Sequence, residues 1–207
     1  MDAGARAASE LERLASVMHA IRLGCPWDAE QTHASLAAYL VEESAEVLEA
    51  LETDDAHLAE ELGDLLLQIY FHAEIAAEQG RFTIEDVARG IADKLVARHP
   101  YVFTDAAVPD DVVGSWERRK RAEKGRASAL DGIPVTLPAL ARAGKVVSRA
   151  RAHGVRLELP DEPVDAATAG REILALVARA QASGVDADQA VRDAVRALER
   201  AVRAAED

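Results

Sequence analysis

The segment Glu60–His72, EELGDLLLQIYFH, constrains the fold more than any other part of the chain. Large apolar residues dominate it, and on a helix they cover most of the circumference, which is typical of a helix surrounded by other helices. Glu61, Asp64, Gln68 and His72 interrupt that apolar surface at steps of three and four residues. The segment therefore predicts a helix that is buried in a bundle and carries one polar line along its length.

The neighbouring sequence repeats the helical pattern. Glu10–Leu23 places apolar residues at helical spacing, and further helices are predicted at about 34–52 and 56–79. Thr83 opens a capping box, which predicts a fourth helix that ends before Pro100. Apolar residues make up 49% of the chain and aromatic residues only 4%, a mixture that favours helices packed on helices over a sheet. The predicted fold class is all-α.

The connections are predicted as irregular structure. Residues 24–33, GCPWDAEQTH, are interpreted as a loop because Pro26 resists continuation of the first helix. Residues 101–113 are expected to be extended and rich in turns, and two prolines in DGIPVTLPAL mark a boundary. Further helical segments are predicted at about 137–153, 165–182 and 186 to the end.

The formal charge of −13 argues against nucleic acid as a partner, because binding to a phosphate backbone depends on a basic face. Cys25 is the sole cysteine, so no internal disulfide can form and a reducing compartment is expected. No apolar run approaches the length of a membrane span, and the N-terminus lacks a signal-peptide pattern. These features predict a soluble, cytoplasmic protein without a membrane partner.

Two carboxylate pairs lie on neighbouring predicted helices. Glu43 and Glu46 are three residues apart, as are Glu61 and Asp64, so each pair shares one helix face. A short turn makes the helices antiparallel and lets the pairs face each other. Mg²⁺ prefers such oxygen ligands and leaves positions for water and substrate phosphates. The alternative is a solvated acidic face, a common origin of an E-x-x-E pair in a chain with 37 acidic residues.

Basic residues could complement these carboxylates. Lys94 and Arg98 share one face of the fourth predicted helix and suit phosphate groups, as a point charge and a guanidinium fork. The alternative is that they are ordinary salt-bridge partners. Trp116 and Lys120, four residues apart in a basic segment, offer a stacking face beside a charge.

The remaining polar residues of the buried helix carry a weaker signal. His72 is interpreted as a hydrogen-bonded helix residue in preference to a metal ligand, and His33 is equally ambiguous. Gln68 and His72 extend the line of Glu61 and Asp64. The only role assigned to Gln68 and His72 is to support the metal ligands from behind.

Four long stretches carry a resemblance to a known family: CPWDAEQTHASLAAYLVEESAEVLEAL, EELGDLLLQIYFHAEIAAEQGRF, DKLVARHPYVF and SALDGIPVTLPALARAGKV. In unbroken order over about residues 10–150, they resemble the MazG nucleoside triphosphate pyrophosphohydrolases, which belong to the all-α NTP pyrophosphatases. The resemblance implies a four-helix MazG-type bundle. It also implies hydrolysis of NTP or dNTP between the α and β phosphates to the monophosphate and pyrophosphate, with Mg²⁺ as cofactor and Mn²⁺ as a candidate substitute.

The resemblance assigns roles to eight residues. It places the catalytic, metal-binding carboxylates on Glu43, Glu46, Glu61 and Asp64, catalytic and substrate-binding cations on Lys94 and Arg98, and further substrate contacts on Trp116 and Lys120. The carboxylates would hold Mg²⁺ while a metal-bound or carboxylate-oriented water attacks the α-phosphorus. The basic residues would stabilise the leaving pyrophosphate.

The resemblance further implies that nucleoside triphosphates are the partners and that the bundle is completed in a homodimer. Two other functions stay open. One is a narrower pyrophosphatase for dUTP or a modified nucleotide, and the other is a catalytically idle helical module that binds nucleotide or a protein. Presence of all eight matched residues weighs against the idle module.

The predicted domain organisation is a flexible N-terminus (1–9), a MazG-type catalytic domain (10–125), a proline-containing connector (126–145) and a C-terminal helical region (146–207). Aligning Gly63 with Gly170 preserves much of the apolar pattern and interprets the last region as a degenerate second repeat. The alignment replaces site residues as follows: Glu61 by Thr168, Asp64 by Arg171, Lys94 by Ala197 and Arg98 by Ala201. The alternative is an unrelated helical tail.

Overall fold

A computed structural model describes residues 9–53, 55–112, 114–116, 119, 128–156 and 158–206. Within these residues all regular structure is helical and no strand is present, which confirms the all-α prediction. The chain divides into two compact units, with the division between Phe103 and Thr104. In the part of the chain described, no helix combines the length and apolar character that crossing a membrane requires.

The first unit contains six helices, and two of them are short. They are α1 (Glu10–Gly24), α2 (Pro26–Glu30), α3 (Ala37–Thr53), α4 (Asp55–Glu78), α5 (Ile84–Arg98) and α6 (Pro100–Phe103). The described helices of the second unit with assigned bounds are α7 (Ala139–Ala152), α8 (Ala166–Ala182) and α9 (Ala187–Glu206). The long helices match the predicted segments to within a few residues.

Local sequence signals explain several helix ends. The Thr83 side chain accepts a hydrogen bond from the Asp86 backbone N–H, and the Asp86 carboxylate accepts one from the Thr83 N–H, which is the predicted capping box of α5. The same reciprocal arrangement joins Ser9 and Glu12 at the start of α1. Each box satisfies backbone donors that a helix start leaves without partners.

Two predicted irregular segments contain helix, so those predictions were wrong in part. Pro26 occupies the first position of α2 inside the segment interpreted as a loop. Proline does end α1, but its fixed φ also suits the first turn of a new helix, where a missing N–H costs nothing. Pro100 begins α6 in the same way, and α6 continues to Phe103, inside the segment 101–113 that was expected to be extended.

Helix α4 is the centre of the first unit, because it contacts α1, α3 and α5. Its Tyr70, Phe71 and Ile75 form the core with Met18 of α1 and Leu36 from the start of the α3 segment. The predicted helix is therefore observed and its second half is buried, whereas Leu62 and Ile69 of the same segment are 48% and 41% exposed, so the predicted burial holds only in part. This burial fixes the direction in which the polar line of α4 points.

Arg22 fastens α1 to α4. Its side chain is 6% exposed and forms a two-point ion pair with Glu78, with Nε 2.8 Å from Oε1 and Nη2 2.5 Å from Oε2. Its Nη1 also donates to the backbone carbonyls of Asp28 and Gln31. One guanidinium thus orients α1, the C-terminal end of α4 and the segment leading to α3.

The second unit has its own core. Buried Ala129 and Leu130 lie with Val146, Val195 and Val202, which brings the segment before α7 against α7 and α9. Arg142 of α7 also forms an ion pair with Glu199 of α9, at 2.8 Å. The predicted connector thus contributes residues to this core, whereas the predicted domain boundaries at 125 and 145 stay predictions.

Candidate active site

The site is built on the hairpin of α3 and α4. Helix α3 ends at Thr53 and α4 begins at Asp55, so the two helices run antiparallel and lie side by side. Near the turn, the Thr53 hydroxyl donates to the carbonyl of Glu49 at 2.7 Å, which closes the last turn of α3. Antiparallel packing sets the acidic face of α3 opposite the first half of the polar line of α4.

Three of the predicted carboxylates meet across this hairpin. Glu43, Glu46 and Glu61 each offer one oxygen atom, and the three oxygens lie within 4.8 Å of one another. Oxygen ligands on opposite sides of an octahedral Mg²⁺ are about 4.2 Å apart, given Mg–O distances of about 2.1 Å. The three carboxylates therefore fit a divalent cation with only small side-chain adjustments. Such a site leaves further coordination positions for water or substrate.

The carboxylates of this cluster also repel one another electrostatically. Partial burial, followed by the charges of Glu46 and Asp64, raises the pKa of Glu43 above its usual value. Partial burial and then the neighbouring carboxylates, Glu46 first, likewise raise the pKa of Glu61, while His57 opposes the shift. Asp64 is thus close enough for its charge to act on both groups. A bound cation would offset this repulsion and favour the ionised form of the carboxylates.

An open cleft of about 280 Å³ adjoins the carboxylates at the turn end of the hairpin. Its lining includes Glu46 and Glu61 together with Glu49, Thr53 and His57. His57 belongs to no motif recognised in the sequence, but it lies four residues before Glu61 and therefore on the same face of α4. The cleft gives a substrate access to the carboxylates from the polar side of the hairpin.

The predicted basic residues occupy different environments. Lys94 is half-buried on α5, whereas Arg98, one turn later, is 7% exposed. Trp116 is half-buried and belongs to the second unit. Lys120 lies outside the described residues. Contact of these four residues with substrate stays a prediction.

A chain of nitrogen atoms continues the polar line beyond Gln68. The guanidinium of Arg81 contacts Nε2 of His33, and Nδ1 of His33 lies 2.8 Å from Nδ1 of His72, with the two rings stacked. Because arginine can only donate, Nε2 of His33 accepts and its Nδ1–H donates to His72. Burial and the neighbouring His33 lower the pKa of His72. His72 is thus a hydrogen-bonded helix residue, as predicted.

Comparison with known proteins matches the segment that contains the hairpin to a domain family. The MazG nucleotide pyrophosphohydrolase domain matches residues 31–103, which include α3, α4 and α5. A 26.1 kDa protein of Streptomyces cacaoi, described as uncharacterized, is 46% identical over 197 residues, covering 92% of this chain and 80% of its own length.

Several relatives carry an activity in their names. A protein of Escherichia coli named nucleoside triphosphate pyrophosphohydrolase is 46% identical over 150 residues, covering 68% of this chain and 57% of its own length. A protein of Mycobacterium tuberculosis with the same name is 39% identical over 202 residues, covering 92% of this chain and 58% of its own length. The chain thus spans a little over half the length of these two named relatives.

Proposed function

Since the chain belongs to the MazG nucleotide pyrophosphohydrolase family, we propose that it hydrolyses nucleoside triphosphates between the α and β phosphates, giving the monophosphate and pyrophosphate. The observation that carries the proposal is the meeting of Glu43, Glu46 and Glu61 across the α3–α4 hairpin. This hairpin lies inside the segment that the family domain matches. A role in controlling or cleaning the nucleotide pool would follow from this reaction.

The proposed cofactor is Mg²⁺, with Mn²⁺ as a substitute. Glu43, Glu46 and Glu61 would hold the cation, and Asp64 would complete the acidic set from the same face of α4. When bound, a divalent cation lowers the pKa of a coordinated water and neutralises phosphate charge. The carboxylates orient the attacking water and accept its hydrogen bonds, because they are acceptors on two facing helices.

The basic residues complete the proposed substrate site. Lys94 and Arg98 would neutralise the charge that develops on the leaving pyrophosphate, since both lie on one face of α5, and α5 contacts α4. Trp116 and Lys120 would contact the rest of the nucleotide. We also propose a homodimer in the cytoplasm, acting on free nucleotides and on no nucleic acid. Exposed apolar residues on α3 and α4 support the dimer, among them Leu48, Leu51 and Leu62.

A product assay tests the reaction. The full chain is incubated with each NTP and dNTP plus Mg²⁺, and the monophosphate, diphosphate, pyrophosphate and orthophosphate are quantified. We expect monophosphate and pyrophosphate in equal amounts. Turnover of a single substrate, such as dUTP, would restrict the proposed function to that nucleotide. Release of diphosphate with orthophosphate would contradict the proposal, because the bond cut would then lie between the β and γ phosphates.

A matched pair of variants tests the site. Glu61→Gln removes one charge from the carboxylate cluster, and we expect a loss of turnover of at least about 100-fold because the proposed metal ligand is lost. Glu60→Gln changes the preceding residue, which is exposed on another face of α4, and should keep turnover within about twofold. Equal activity of the two variants would remove Glu61 from the mechanism. Nucleotide binding without any turnover in the unmodified chain would instead support the idle module.

A further inference from the structure

Gln68 is a buried amide whose oxygen has no hydrogen bond. The residue is 5% exposed. Of the buried side-chain oxygen and nitrogen atoms in the described residues, its Oε1 is the one that has no hydrogen-bond partner. Buried polar groups in proteins are nearly always hydrogen-bonded, because burial removes the water that would otherwise serve them. An apolar side chain of similar shape would fill the same space without that penalty. The glutamine therefore calls for an explanation other than packing.

The position of Gln68 on α4 indicates what Oε1 can meet. Asp64 lies one helical turn before it on the same face, beside the cluster of Glu43, Glu46 and Glu61. Neither a carboxylate nor the amide oxygen can donate a hydrogen bond, so these side chains cannot satisfy one another through Oε1. One turn after Gln68, His72 directs its Nδ1 toward His33. A donor that arrives with a ligand bound at the carboxylate cluster would satisfy Oε1.

We propose that Gln68 is a positioning residue whose Oε1 accepts a hydrogen bond from the water shell of the divalent cation held by the carboxylate cluster. The inference rests on the proposed function only in requiring that a divalent cation binds there. Mg²⁺ and Mn²⁺ keep several waters when bound to carboxylates, and these waters are strong donors. Gln68 thereby orients the water shell and, through it, the ligands.

Cation binding without nucleotide tests this role. Dissociation constants for Mn²⁺ are measured on the full chain by calorimetry and by electron paramagnetic resonance. Thermal unfolding of the metal-free protein is followed in parallel. Gln68→Met keeps the length of the side chain and removes the acceptor, while Gln68→Glu keeps an acceptor. Gln79→Met, an exposed position in the same unit just beyond the end of α4, is the matched control.

We expect Gln68→Met to raise the Kd for Mn²⁺ about 10- to 100-fold, the usual effect of losing a residue behind the ligands. Its metal-free melting temperature should stay the same or rise, because a buried group without a partner is removed. Gln68→Glu should bind Mn²⁺ at least as tightly as the unmodified chain, and Gln79→Met should be unchanged.

Three results of the Mn²⁺ measurements would overturn the inference. They are a Kd for Gln68→Met within twofold of the unmodified chain, an equal loss of affinity in Gln79→Met, and a Gln68→Glu variant that folds yet binds as weakly as Gln68→Met. Loss of dimer in sedimentation velocity with unchanged Mn²⁺ affinity would assign Oε1 to a subunit contact and would also overturn it. Because no nucleotide is present, these results are independent of whether the chain cleaves triphosphates.

Discussion

Replacing Arg22 with methionine tests how α1 holds the helix that carries Glu61 and Asp64. In the structure the guanidinium makes two hydrogen bonds to Glu78, at 2.8 and 2.5 Å, and its carbon Cζ lies 5.7 Å from the centre of the Phe71 ring. Methionine keeps an apolar stem against that ring but removes every donor. The substitution therefore isolates the polar part of the contact.

The expected loss follows from the exposure of the two partners. Removing one member of a buried ion pair costs about 3–5 kcal/mol when the other is left buried. The Arg22 side chain is 6% exposed, but that of Glu78 is 39% exposed, so water can replace the lost arginine at the carboxylate. We therefore expect the free energy of unfolding to fall by about 2–3 kcal/mol. For a chain of this length that lowers the melting temperature by about 5–10 °C.

Arg13→Met is the control on the same helix. Arg13 also forms an ion pair, with Glu10 at 2.9 Å, but the two side chains are 71% and 82% exposed. An exposed pair contributes little, so we expect a loss below about 0.5 kcal/mol. Urea denaturation followed by circular dichroism measures both variants. Equal losses would refute the reasoning that burial, and not pairing alone, gives the Arg22 contact its strength.

The same contact predicts an acid response. The hydrogen bond from Arg22 lowers the pKa of Glu78 below its usual value of 4.5. A carboxylate whose pKa is lower in the folded state contributes stability above its unfolded pKa, and this contribution is lost as the pH falls through the folded pKa. The stability difference between the unmodified chain and Arg22→Met should accordingly shrink below about pH 4.5.

Two further predictions concern α4. Gly63→Ala should raise the melting temperature, because an added Cβ meets no atom within 4 Å and alanine stabilises a helix interior by about 1 kcal/mol relative to glycine. Gly90→Ala in α5 is the control, since a Cβ there also meets no atom within 4 Å. A loss of turnover in Gly63→Ala alone would show that substrate or a second subunit approaches Gly63. Burial and the neighbouring His33 hold the pKa of His72 below its usual 6.5, and Arg81 contacts His33 in turn. The contribution of His72 to the free energy of unfolding should therefore be fully present above pH 6.5 and should decrease as the pH falls below it. His72→Gln should reduce the pH dependence of the melting temperature between pH 6.5 and 5. An unchanged pH dependence would contradict this role of His72.

Signals that act over a few residues were predictable. The capping box of Thr83 and Asp86 was identified because both partners lie within one turn of each other, and the structure confirms it. The loop prediction at Pro26 was wrong because the residue that resists continuation of one helix also suits the first turn of the next. The prediction that the α3 and α4 carboxylates face each other depended on helical spacing and on a short turn, and both are visible in the sequence.

Features that depend on the exact approach of two helices were not predictable. The spacing of Gln68 placed it on the polar line, but its burial and the missing partner of Oε1 follow from the way α4 packs with its neighbours. The cleft beside His57 likewise forms only when the turn end of the hairpin is built. Pattern gave the direction of each side chain, whereas tertiary packing decided its burial and its partners.

Under the degenerate-repeat prediction, two residues of α8 in the second unit take the positions of site carboxylates. If Thr168 corresponds to Glu61 and Arg171 to Asp64, the structure uses both residues at the start of α8. Thr168 donates its hydroxyl to Asp165 at 2.7 Å and accepts from Arg171 at 2.9 Å, while its backbone N–H is capped by Asp165 at 2.9 Å. Helix α4 begins six residues before Glu61, but α8 begins two before Thr168, so the corresponding position falls in the first turn and serves the cap. A hydroxyl and a guanidinium in that role cannot replace two anionic oxygen ligands, and the proposed chemistry accordingly belongs to the α3–α4 hairpin of the first unit.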